Sequence, residues 1–346
     1  MVKRIKRILG NSKIENVLIT PYRSYGTAHH LYVLGRALDD VPLKIVEDQS
    51  FSHTLKNTFR QFNTFEIKNA VLDLEIPGIL NLTGRTNREG YFLFDKTVPE
   101  DLSVKADEEG WVKAHLHYRG VDGKDGNPLS EDDHFIGELL IPEKEAEYGI
   151  ISDVDDTILK TDVTSFLKLR LLKNSLLTNA YQRIPLKGAP EFFQKLHLGM
   201  NGKNKNPIFY VSNSPWNLYQ YIKLFLDFNK FPKGPILLRN FRTPFDRSLK
   251  PEKPHKQKEI INILNTYPDL NFILIGDSGE HDASIYTDMA VQFPNRILAI
   301  YLLSVKHKRQ MQRIKSIVDN FTSTPILMVD TSVEAEEHAR ESGFIK

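Results

Sequence analysis

Two hydrophobic rhythms divide the chain. Up to about residue 147, apolar residues come in short runs rich in branched side chains, separated by turn clusters such as Thr86-Asn-Arg-Glu-Gly. Residues 16–20, 30–37, 70–74, 79–84, 90–94 and 111–118 each fit one short strand. In the last of these, His115, His117 and Tyr118 alternate around Leu116 as in a half-solvated strand. Strands at this spacing predict a small antiparallel sandwich, with residues 51–65 as a helical or irregular insert.

After Gly149 the rhythm changes. Residues 150–152, 207–212, 235–239, 272–276, 297–302 and 325–330 are near-continuous apolar runs. Helical patterns at 189–197, 216–228, 256–266, 284–293 and 305–321 lie between most of them. Continuous strands alternating with helices predict a parallel sheet covered on both faces. Such sheets place their sites beyond the carboxyl ends of the strands, where the polar residues of this half cluster. The expected fold class is therefore α/β, a doubly wound, mostly parallel sheet preceded by a smaller β-sandwich. The expected domains are 1–147, β-rich with a basic amino-terminal lead-in, and 148–346, with a small cap inserted at about 160–187.

Composition narrows the function classes. A length of 346 residues exceeds one ordinary core and fits two domains. An apolar content of 40% excludes global disorder. A formal net charge of +2 excludes a strongly basic nucleic-acid binder by bulk electrostatics. The absence of cysteine excludes disulfides, thiolate zinc sites and cysteine nucleophiles, and fits a reducing compartment. The amino terminus, Met1-Val-Lys-Arg-Ile-Lys-Arg-Ile-Leu, is basic and amphipathic but too short in its apolar part for a secretion signal. It reads as a solvated lead-in helix or a membrane-surface contact. No apolar stretch reaches membrane-spanning length. A cytoplasmic protein is expected, with peripheral membrane contact through such segments.

Four features at strand ends or helix starts carry the candidate chemistry. In Ile150-Ile-Ser-Asp-Val-Asp-Asp-Thr157 an apolar run ends in three carboxylates and a threonine. Acids at the end of a buried strand cost free energy unless a cation or a reaction uses them. The two-residue period of a strand sends Asp153 and Asp155 toward one site, an arrangement suited to a covalent aspartyl-phosphate. In Val211-Ser-Asn-Ser-Pro-Trp216 a strand ends in hydroxyl and amide side chains and Pro215 opens a helix. Free backbone donors there, with Ser212, would cradle a phosphate. His255-Lys256 opens another helix, and Ile275-Gly-Asp-Ser-Gly-Glu-His-Asp282 ends another strand among several acids.

In this order, D-x-D-x-T, a serine after a strand, a lysine and G-D-x-x-x-x-D resemble the motif set of the haloacid dehalogenase superfamily of phosphatases. The linking text is more specific. Tyr210-Val-Ser-Asn-Ser-Pro-Trp-Asn-Leu-Tyr, Leu237-Leu-Arg239, His255-Lys256 and Ile273-Leu-Ile-Gly-Asp-Ser-Gly-Glu with Ile285-Tyr286 look like the catalytic domain of the actin-patch phosphatidate phosphatases of fungi and their bacterial relatives. That resemblance covers about residues 148–305. The long extensions that fungal members use for actin-associated partners, and the cell biology that goes with them, are not expected.

The resemblance implies a haloacid dehalogenase-like, Rossmannoid sheet and a set of roles. Asp153 would attack phosphorus, and Asp155 would protonate the leaving alcohol and later activate water. A carboxylate is a useful nucleophile when a metal and a cation neutralise the phosphate. Neighbouring carboxylates favour the proton that the acid–base partner needs. Thr157 would orient Asp155 or its loop. Mg²⁺ would be held by Asp153, the Asp155 backbone carbonyl and Asp277, with Asp282 binding it directly or from behind. Ser212 and Asn213 would hold the phosphoryl oxygens, and Lys256 would neutralise the transferring group.

Competing readings stand beside these. Asp156 reads as a helix cap or backbone bonder. Lys253 and Lys258 compete with Lys256, and Asp282 can be plain surface charge. Glu280 and His281 read as loop structure. Arg239 is an anionic-substrate contact or a strand-end salt bridge, and Trp216 with Tyr219 is core or pocket wall. Residues 163–183, leucine-rich and basic, form a short helix over the site or an acyl-chain and headgroup contact. The expected function is a Mg²⁺-dependent phosphomonoesterase, with phosphatidate or a similar lipid phosphate favoured. Its alternatives are a phosphatase of a soluble metabolite, a protein or a nucleic-acid end, and a non-catalytic scaffold or binding module. Bulk charge counts against nucleic acid as a partner. The presence of Asp153, Asp155, Ser212, Lys256 and Asp277 together counts against the scaffold.

Overall fold

The computed structural model describes residues 17–39, 65–121, 134–154, 188–239, 254–277, 282–303 and 321–346. The chain divides into two compact units, Met1–Ile141 and Pro142–Lys346. Elements below are numbered among the described residues. Of the insert expected at 51–65 and the helix expected at 305–321 only Phe65 and Phe321 are described; the segment 163–183, the cap expected at about 160–187 and the amino-terminal lead-in lie outside the described residues.

The first unit is built on β1 (Val17–Pro21), β2 (Ser24–Thr27), β3 (His30–Asp39), β4 (Phe65–Glu66), β5 (Ala70–Ile76), β6 (Leu80–Arg85), β7 (Tyr91–Thr97), β8 (Trp111–Val121) and β9 (His134–Leu140). They form one sheet in the order β1-β3-β2-β9-β8-β5-β6, with β4 and β7 also on β3. The pairs are antiparallel except β2 with β9, which run parallel. That pair departs from the all-antiparallel expectation because its strands are far apart in sequence, and no tight turn fixes their sense. Alternation sets the faces. Ala70, Leu72, Leu74 and Ile76 of β5 and Val112, Ala114, Leu116 and Tyr118 of β8 enter one core, while Asp73, Glu75, Lys113, His115 and His117 point away from it. Tyr118 thus shares the Leu116 face. The turn before β7 closes as its sequence suggests: Asn87 Oδ1 accepts from the Glu89 and Tyr91 N–H groups (2.9 and 3.0 Å), and Gly90 takes a φ of 77°. β2 and β9 carry too few branched residues to stand out in the sequence.

The second unit holds a parallel sheet of β10 (Gly149–Asp153), β11 (Ile208–Pro215), β12 (Ile236–Arg239), β13 (Phe272–Asp277), β14 (Ile297–Leu303) and β15 (Ile326–Val329). The order is β12-β11-β10-β13-β14-β15. Its described helices are α1 (Ala189–Leu198), α2 (Tyr219–Phe228), α3 (His255–Thr266), α4 (Asp282–Gln292) and α5 (Ser332–Glu341). Residues 216–218, expected in α2, form a tighter 3-10 turn ahead of it. The chain enters at β10, steps outward to β12, then returns to lay β13 on the other edge of β10. The order therefore reverses between β10 and β13, the position beyond whose strand ends such sheets place their ligand crevice. β10 and β13 are buried along their full length, which explains their unbroken apolar sequence. α5 escapes sequence reading because Ala335 and Ala339 are its only buried apolar residues.

Among the described residues no helix is long and apolar enough to cross a membrane. The carboxyl end of α3 is tied down by Arg296, whose Nη2 donates to the carbonyls of Leu264 (3.3 Å), Tyr267 (2.5 Å) and Leu270 (2.7 Å). A cation there satisfies orphan carbonyls and complements the helix dipole. Arg296→Met should lower unfolding stability by about 2 kcal/mol, measured by urea titration.

Candidate functional site

The site grows from the ends of β10, β11 and β13. Asp153 is the last residue of β10 and Asp277 the last of β13. Asp282 opens α4, where a carboxylate suits the positive end of the helix. Lys256 lies in the first turn of α3, where the dipole disfavours a cation, so its position depends on nearby acids. All four side chains are buried, at 1% exposure or less. Lys256 Nζ stands 2.9 Å from Asp153 Oδ1 and 2.5 Å from Asp282 Oδ1. Burial would lower the Lys256 pKa, but Asp153 and Asp282 outweigh it and the ammonium is held well above its ordinary value.

Carboxylate oxygens of Asp153, Asp277 and Asp282 lie within 4.8 Å of one another. Three buried carboxylates against one ammonium leave a surplus of negative charge, which a low-dielectric site does not tolerate alone. All are hard oxygen donors, so the set fits a divalent cation such as Mg²⁺. Asp282 also accepts the Asp277 N–H through Oδ2 at 3.3 Å, so each of its oxygens already has a partner.

Gly276 makes this arrangement possible. A Cβ there would fall 2.5 Å from Asp282 Oδ2 and 2.7 Å from Tyr286 Cε2. Tyr286, one turn after Asp282, donates from its hydroxyl to the Ile275 carbonyl at 3.0 Å. Burial, reinforced by Asp282, holds its pKa well above the ordinary phenol value, so it stays a neutral wall. Reasoning from sequence gave Gly276 and Tyr286 no role. The i to i+4 spacing of Asp282 and Tyr286 was the signal available.

On the other side of β10, β11 breaks register. Ser212 pairs with Leu238 and Pro215 with Arg239, so Asn213 and Ser214 bulge from the ladder, half-exposed. The buried Ser212 Oγ accepts the Ser214 N–H at 2.8 Å. Arg239 is exposed at the end of β12 beside this bulge. Of the competing lysines, Lys256 meets Asp153 while Lys258 is exposed. Trp216 and Tyr219 are buried against each other. Asp155, Asp156, Thr157, Lys253, Glu280 and His281 lie outside the described residues.

His255 sits in the rim between α3 and β12. Burial pushes its imidazole from 6.5 down to about 4, Arg239, Lys258 and Lys256 act the same way, and the Leu237 carbonyl opposes them. Glu259 Oε1 faces its Nδ1 at 3.8 Å.

Residues 148–304 match the family model of the phosphatidate phosphatase APP1 catalytic domain. Phosphatidate phosphatase APP1 of Saccharomyces cerevisiae is 39% identical over 155 residues, 44% of this chain and 25% of the yeast protein. An uncharacterised protein of Schizosaccharomyces pombe is 26% identical over 272 residues, 75% of this chain and 40% of that protein. A solved structure of Bifidobacterium dentium β-glucuronidase complexed with coumarin-3-O-glucuronide covers 91% of this chain and 60% of its own at 9% identity. Its TM-score is 0.25, too low to bear on the fold. Over residues 148–304 the chain thus resembles the catalytic domain of APP1-type phosphatidate phosphatases. It spans a quarter to two fifths of the length of these curated relatives.

Two consequences can be measured. Gly276→Ala forces Asp282 and Tyr286 apart and should cost about 1–3 kcal/mol of stability in urea titration. Because His255 is held at about 4 in the folded chain against 6.5 unfolded, its contribution is full above pH 6.5 and is lost as pH falls toward 4. That loss is about 3 kcal/mol at most, and His255→Gln should flatten the stability profile in this window.

Proposed function

We propose that this chain is a Mg²⁺-dependent phosphomonoesterase that works through an aspartyl-phosphate on Asp153 and favours phosphatidate or a similar lipid phosphate. One observation carries the reading: a buried Asp153–Lys256–Asp282 chain beside Asp277, at the carboxyl ends of adjacent parallel strands. It lies inside the segment that resembles a phosphatidate phosphatase catalytic domain. The fold proposed for 148–346 is the doubly wound, haloacid dehalogenase-like sheet with a cap at about 160–187. The reversal of strand order at β10 supports it, since right-handed crossovers in opposite directions put helices on opposite faces. For 1–147 a sandwich is supported by a single core fed from β3, β5, β7 and β8.

In this mechanism an Asp153 carboxylate oxygen bonds to phosphorus while the ester P–O bond breaks. Asp155 gives its proton to the departing alkoxide. Asp155 then takes a proton from water as that oxygen bonds to phosphorus, and the Asp153–phosphorus bond breaks to release inorganic phosphate. Lys256, fixed against Asp153, offsets charge on the nucleophile and the transferring group. Ser212 would donate its hydroxyl to a phosphoryl oxygen, with Asn213 and Ser214 presented on the bulge beside it. Asp153, Asp277 and the Asp155 carbonyl would hold Mg²⁺, with Asp282 behind them holding Lys256. Mg²⁺ supplies charge compensation for the phosphoryl oxygens.

Purified protein should hydrolyse phenyl phosphate with Mg²⁺, lose activity in EDTA, and fall by about 10³-fold or more in Asp153→Asn. An unaffected rate in that variant would sink the mechanism. Phosphatidate in vesicles should be turned over faster than soluble esters; equal turnover without vesicle binding rejects the lipid substrate.

A further inference from the structure

Two cations on the rim have no task at the reacting centre. Arg239 ends β12 and is the register partner of Pro215, next to the Asn213–Ser214 bulge. Lys258 lies on α3, three residues from His255 and therefore on the same helix face. Both are exposed, and neither makes an ion pair or side-chain hydrogen bond among the described residues. Four other cations of this unit meet acids: Lys195 with Glu336, Lys205 with Glu143, Lys223 with Asp227 and Arg340 with Glu336. Glu259, on the same helix as Lys258, is buried and faces His255 Nδ1 at 3.8 Å.

Both exposed cations act on the His255 imidazole, which burial together with Arg239, Lys258 and Lys256 holds neutral. Among the described residues these two exposed cations have no acidic partner, and one of them is a planar guanidinium fork suited to phosphate oxygens. The scissile phosphoryl group would already be served by the buried Lys256 and Ser212 and by the half-exposed bulge beside them. A second anion is what remains for the rim to bind.

Resting on the phosphomonoesterase reading, we propose that Arg239 and Lys258 form a second-anion subsite, which takes a phosphate group lying next to the scissile one. That phosphate belongs either to the same substrate molecule or to a neighbouring anionic headgroup at a lipid surface.

The test compares wild type with Arg239→Gln, Lys258→Gln and the double variant. The substrates are phenyl phosphate, propane-1,3-diyl bisphosphate, and dilute phosphatidate in phosphatidylcholine vesicles with or without phosphatidylserine. With the second phosphate in the substrate, the double variant should lose about tenfold more kcat/KM on the bisphosphate than on phenyl phosphate, mostly through KM. With the second phosphate on a neighbouring lipid, the variant should instead lose the rate gained from phosphatidylserine. Arg239→Lys should retain most of either effect, and unfolding midpoints should match wild type. An equal loss on every substrate, or no loss on any, overturns the subsite. Should wild type fail on phenyl phosphate, the phosphomonoesterase reading falls, and calorimetry decides the subsite alone. Bisphosphate binding weakened in the double variant would then support it, and unchanged or absent binding would refute it.

Discussion

A buried ammonium between two buried carboxylates holds the second unit's polar centre together. Lys256 joins α3 to the end of β10 through Asp153 and to the start of α4 through Asp282. Three elements far apart in sequence thus meet at one charged atom. Removing one partner would strand the other charges in a dry interior, a penalty of about 3–5 kcal/mol in comparable pairs. Such a cluster is poor at adding stability compared with apolar packing, and that is the reason to look for its use in chemistry.

The surroundings serve to keep that atom in place. α3 is anchored at its far end by Arg296, which meets three carbonyls, and near Lys256 by His255 against β12. Asp282 is steered by the Asp277 N–H and backed by Tyr286, whose ring reaches it only because residue 276 has no Cβ. On the opposite side, the β11 bulge turns Ser212 inward and lifts Asn213 and Ser214 out of the ladder. Rigid strands thus supply the charged groups, and irregular backbone supplies the room beside them.

Much of the second unit was legible because its strands are buried on both faces. β10, β11 and β13 announce themselves as apolar runs ending in polar residues, and β14 as an unbroken apolar run. In the first unit, β5 and β8 were legible from strict alternation, whereas β2, β4 and β9 were not. β4 has two residues and β2 four, too few for any period to register. α5 lacks an apolar stripe because alanines face its neighbours, so tertiary packing rather than pattern makes it a helix.

By itself the sequence placed Asp153, Arg239 and Asp277 at strand ends and Lys256 at a helix start, but it ended β11 at Ser212 rather than Pro215 and left Asp282 in a loop ahead of α4. Local periodicity suffices for that, since it depends only on neighbours along the chain. It left open which of the lysines near 256 would touch Asp153, whether Asp282 was surface charge, and what Gly276 and Tyr286 do. Tertiary structure decided these, placing Lys256 in the core, Lys258 on the rim and Asp282 against the ammonium. The physical reason is that burial and ion pairing act across space, between segments whose separation along the chain says nothing of their distance apart.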